Sequence, residues 1–163
     1  MTAHAQDTTP RPPRPDSPMR DRDQTPLGNF EEEIRAKRAI KMAEKDHEQN
    51  LDRAKEIGEL AKQLQISLTD KSSIDRESLK KLDRLEKLTR KIRNESGGED
   101  EEVKIIDRPT TITGAVNQIA DSAESLSKAV QDTPRQVVSA SVIGKANVLL
   151  ELIKLLRAFD PRP

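Results

Sequence analysis

After residue 28 the apolar positions of this chain recur every three or four residues, and that spacing predicts four helices. The first opens near Asn29, a capping residue with Glu32 three positions on. From Ile40 it can be written as heptads. Ile40, His47, Ala54, Ala61 and Leu68 take one core position; Ala43, Asn50, Ile57 and Leu64 take the other. The pattern is firm from Leu51 to Leu68 and thin before it. Uninterrupted, this helix would run roughly 60 Å, which suits a coiled-coil arm or requires a break near Asn50. Thr69–Ser73 is a turn in which Ser72 or Ser73 can cap the next helix, whose stripe is Leu79, Leu82, Leu85, Leu88 and Ile92. So short a turn makes the two helices an antiparallel hairpin. The second helix is the shorter, so if the first is continuous the region from Phe30 to about His47 would overhang it.

Residues 96–110 read as an acidic, flexible linker, with Gly97 and Gly98 stopping the helix and Glu99–Glu102 following. Beyond Pro109 a third helix starts at Thr110 or Thr111, with a stripe of Ile112, Val116, Ile119, Ala123, Leu126 and Val130. Thr133-Pro-Arg-Gln136 fits a capping box with proline in the first turn. It places a fourth helix at about 134–158, folded back on the third. Placed at 100° per residue, this helix is apolar over roughly two-thirds of its circumference, against the ~100° of an ordinary surface helix. Val138 and Val142 belong to that arc, with Leu149, Leu150, Leu152, Ile153 and Leu156. The third helix has one narrow stripe and cannot cover so wide an arc alone. The arc is therefore expected to meet the first hairpin, a second copy or another protein.

The fold class expected is all-α: two antiparallel, coiled-coil-like helical hairpins, at 29–95 and 111–158, able to dock as a four-helix bundle. Residues 1–28 carry six of the ten prolines, four Arg, four Asp and little that is apolar. They are expected to be a disordered tail. Pro10-Arg-Pro-Pro-Arg-Pro15 within it favours polyproline II, and 159–163 form a short C-terminal tail. With 33% hydrophobic residues and two Phe as the only aromatics, aliphatic seams between helices are the core this chain can build. Zero net charge and zero Cys provide neither a global pull on polyanions nor disulfides. No membrane span or secretion signal is legible, and cytoplasm is the default location.

The candidate chemistry is sparse. Glu44-Lys-Asp-His47 has the Glu-x-x-His spacing of di-metal bundles, but those need a second such motif and two further Glu. No nucleophile–base pair, phosphate loop or dinucleotide fingerprint appears, so no cofactor or metal is expected. The function expected is a non-catalytic helical interaction or assembly protein. Val142, Leu149, Leu150, Leu152, Ile153 and Leu156 would bind a protein partner or a second copy. The alternative is a small nucleic-acid-binding protein using Lys80, Lys81, Arg84, Lys87, Arg90, Lys91 and Arg93. Residues 70–95 hold nine basic and six acidic residues, but no aromatics that would stack on bases.

Overall fold

The computed structural model describes residues 26–135 and 138–160. Among them are four helices and no strand: α1 (Pro26–Leu68), α2 (Arg76–Glu95), α3 (Ile112–Asp132) and α4 (Ala140–Ala158). The chain divides into two compact units, Met1–Lys37 and Arg38–Pro163. In the first, the described residues are the opening turns of α1. Glu31–Arg35 and Glu33–Lys37 pair there across one turn, and Leu27 and Phe30 are exposed. The helix starts three residues inside the expected tail, at Pro26, where a missing N–H costs nothing because it would have no helical partner. The Pro/Arg run at 10–15 lies outside the described residues. No break occurs at Asn50, which stays helical with its amide oxygen 2.9 Å from Arg53 Nη1.

The second unit is a four-helix bundle. Its core joins Ala54, Ile57, Ala61, Leu64 and Leu68 of α1 to the predicted stripes of α2, α3 and α4. Polar pairs give the packing order. Arg53 meets Glu95 at 2.5 Å and Glu56 meets Arg84 at 2.8 Å, so α1 and α2 run antiparallel. Arg157, at the end of α4, reaches Asp83 at 2.6 Å and also Glu86. Arg93, at the end of α2, approaches Asn147 early in α4, so α2 and α4 are antiparallel too. Gln65–Asn117 at 2.9 Å and Glu44–Arg135 at 2.6 Å do the same for α1 and α3. The fourth side of the ring is α3 against α4.

This order has a topological consequence. If α2 is antiparallel to both α1 and α4, and α3 likewise, then α2 and α3 point the same way from opposite corners. Their connection must return the length of the bundle. The α4 axis is about 28 Å long, and an extended connection such as residues 97–111 reaches about 50 Å, so it is long enough.

The acidic stretch makes this crossing. Gly97 (φ +82°) closes α2 in a Schellman motif, with Gly98 N–H donating to Arg93 O at 2.9 Å and Gly97 N–H to Asn94 O at 3.1 Å. Asn147 Nδ2 then donates to Glu99 O at 3.3 Å, and Arg93 Nη1 to Asp100 at 2.9 Å. Glu102–Ile105 and Arg108 lie along Glu151 and Leu155. Gln118 Nε2 donates to Asp107 O at 2.7 Å. What was expected as a flexible separator is a strap held against α4, and the hairpins on either side of it share one core.

Two local expectations are corrected. Asp75, with extended backbone, occupies the α2 cap position, not Ser72 or Ser73; the preceding turn passes through Asp70 at φ 60°. Thr133 does not begin the fourth helix. Its hydroxyl donates to Ala129 O at 2.6 Å and its N–H bonds Val130 O, so it is used in closing α3. The α4 cap is Ser139, whose hydroxyl accepts from Val142 N–H at 3.3 Å. Gln136 lies outside the described residues. Val138, left in non-helical chain, is 74% exposed and leaves the predicted arc. The α3 cap is as expected: Thr111 Oγ1 accepts from Gly114 N–H at 3.0 Å.

Candidate interaction groove

The wide arc of α4 is used up inside the chain. Val142, Leu149, Leu150, Leu152, Ile153 and Leu156 are all buried, none more than 3% exposed. Neighbours on two sides and the strap account for the breadth of apolar surface that α3 alone could not cover. As folded, five of the six offer nothing to a partner. Val142 is different, because it also lines a cavity.

The seven basic residues of α2 are not equivalent either. Lys81 pairs with Glu77, Arg90 with Glu86, and Arg84 makes two bonds to Glu56. The Arg84 guanidinium holds the Glu56 carboxyl below its ordinary range, chiefly by hydrogen bonding and secondarily by charge. Arg93 is buried, 5% exposed, with Asp100, Asn94 and Asn147 around it. Lys80, Lys87 and Lys91 have no ion-pair partner among the described residues. At spacings of seven and four they share one exposed face.

The cavity is about 490 Å³ and sits where α2 ends. Arg53–Glu95 fixes that end along α1, and Gly97 turns the chain away. From there toward its amino end, α1 runs on with no α2 opposite. The heptad seam continues regardless, and Ala43, His47 and Asn50 form one wall. Glu44–Arg135 draws the α3–α4 corner to α1, so Pro134 and Val138 form the facing wall. Ile92, Val130 and Val142 make an apolar floor.

Comparison of the chain with protein-family models, curated proteins and solved structures found no match.

The groove is acidic at its edge. Asp46 and Glu95 line it, and no described Lys or Arg does. Glu95 is matched by Arg53; Asp46 is exposed and has no charged partner among the described residues. The Thr133 hydroxyl in the wall is committed to Ala129. Glu44, half of the Glu-x-x-His pair, is committed to Arg135. This arrangement suits apolar side chains entering from outside with a cation beside them. The overhang of α1 was legible in the unequal helix lengths. The groove was not, because it depends on the α3–α4 corner approaching α1, and Arg135–Glu44 is a pair 91 residues apart in sequence.

Proposed function

We propose that this chain is a non-catalytic helical protein–protein interaction or assembly module. Its docking surface is the groove at the end of the bundle, where the C-terminal hairpin contributes Val138, Val142 and the Pro134 corner. The observation carrying this reading is the α1 seam running past the end of α2. Ala43, His47 and Asn50 keep the core register of Ala54–Leu68 but lose the helix that would fill it. Ile40, the next seam position, is 52% exposed. A seam of this kind is a standing site for apolar contact.

The test is site-specific photo-crosslinking in the full chain, with light scattering in parallel. A photoreactive side chain at Val138 is expected to give discrete adducts with a partner or a second copy. The same group at Lys62, exposed on α1 outside the groove, is expected to give none. A monomeric mass at every concentration, with equal or absent adducts at both positions, would refute the reading.

Nucleic-acid binding has one observation in its favour, the shared face of Lys80, Lys87 and Lys91. Three contacts are few beside the six to ten phosphates of a strongly salt-dependent binder.

A further inference from the structure

We propose that the occupant of the groove is a short amphipathic helix from another protein. It would carry aliphatic side chains on one stripe and Lys or Arg at the edge of that stripe. The inference rests on the interaction-module reading and adds the chemistry of the partner.

The shape comes from the seam. Ile40, Ala43, His47 and Asn50 are spaced three, four and three, the register that knobs from a second helix occupy. Ten residues of helix rise about 15 Å, so the partner needs two to three turns. Ala43 allows close approach. A volume of about 490 Å³ lies within the roughly 300–1,000 Å³ of ligand-sized sites. It would take the knobs of a helix lying across the opening, not a whole helix.

The charge comes from the rim. Asp46 has no charged partner among the described residues, Glu95 is already matched by Arg53, and no described Lys or Arg lines the groove, so its net charge is that of Asp46. An acidic partner would meet like charge, and a basic one would be steered in and held in register.

A second copy fits poorly. Arg38, Lys41 and Lys45 lie on the side of α1 opposite the seam, about 200° from Ile40 in the case of Arg38. Pairing the seams of two copies about a two-fold axis would turn these cations away.

The probe is a 14-residue peptide of Leu and Lys patterned for one helical face, against a matched Leu and Glu peptide. Binding to the full chain is followed by amide chemical shifts and repeated at raised salt. The Leu/Lys peptide is expected to bind, with shifts confined to Ala43–Asn50, Ser96–Gly97 and Val138–Val142. Its affinity should fall with salt, and about tenfold in Asp46→Lys. Asp46 is exposed, so that variant is expected to melt like the parent. Val138→Lys at the opposite wall, which removes apolar contact and adds like charge, provides a second, independent block. Equal binding of the Leu/Glu peptide would overturn the proposal. So would shifts spread over the α2 lysine face, or a dimer whose contact surface is the groove. If Val138 crosslinks a foreign protein while the Leu/Lys peptide fails, the module reading stands and the partner chemistry is wrong. If Val138 crosslinks nothing, the module reading fails first.

Discussion

Gly98→Ala tests the strap directly. Gly98 is outside the left-handed backbone region, so alanine is conformationally allowed there and the question is one of space. A Cβ at this position would lie 2.6 Å from Ile143 Cγ2, 2.9 Å from Ile143 Cγ1 and 3.0 Å from Arg93 Cγ. All are well inside van der Waals contact, so Ile143 or the strap must move. Arg93 is held by its bonds to Asp100 and Asn94, and the strap by Asn147. Overpacking of this kind costs about 1–3 kcal/mol. Replacing glycine lowers unfolded-chain entropy and returns about 0.4–1 kcal/mol. The net loss should be roughly 1–2 kcal/mol, a fall in Tm of about 3–8 °C for a domain of this size. Ile143→Ala alone removes a half-buried side chain and also destabilises. In the double variant, Gly98→Ala should cost clearly less than in the parent, because the two closest contacts are gone and only Arg93 Cγ at 3.0 Å remains. Urea denaturation of the parent, both single variants and the double gives the coupling energy, expected at about 1 kcal/mol or more. Strict additivity, or a neutral Gly98→Ala, would mean that the strap does not lie on α4 at this point.

Three further expectations follow from the polar contacts. Asp100→Ala should destabilise more than Arg93→Met: the first strands a buried guanidinium at about 1–3 kcal/mol, whereas the second frees a carboxylate that is 59% exposed and can rehydrate; equal losses in urea midpoint would contradict this. Because the folded-state pKa of Glu56 lies below its ordinary value near 4.5, its stabilising effect is complete above that pH. It fades as the pH falls through the lower folded value. Glu56→Gln should therefore flatten the acid limb of stability against pH below about 4.5, modestly since both partners are partly exposed; a limb identical to the parent's would sink that assignment. Finally, any binding of single-stranded DNA through Lys80, Lys87 and Lys91 should show a log–log salt slope near −2, from about −0.7 per phosphate contacted; no binding at low salt, or a slope unchanged in the triple Gln variant, would exclude that face.

The helices were legible because their stripes obey a single period: every apolar position predicted for α3 is buried, and those of α2 from Leu82 on are too. The path of 97–111 was not, and the reason is physical. Most of its charged side chains face water and are silent about where the backbone goes, while the contacts that pin it are made by carbonyls of Glu99 and Asp107 and by the Asp100 carboxylate on one buried arginine. Composition records side chains, so a strap tied down by its main chain resembles a free linker. The Thr133 motif misled for a related reason. A hydroxyl followed by proline serves equally to finish one helix or start the next, and only the partner of that hydroxyl decides. The breadth of the α4 arc contained part of the missing information: that α3 alone could not cover it. An arc of two-thirds of a circumference cannot be satisfied by one neighbour, and in a four-membered ring each helix has two adjacent helices and the shared centre. Apolar surface beyond that must be covered by other chain, from this molecule or from another. In this fold the stretch 97–111 supplies part of that cover. The width of the α4 face showed that more than α3 must cover it, but a second copy or another protein would have met that demand equally, so the crossover and the parallel direction of α2 and α3 follow only from the polar pairs that order the helices.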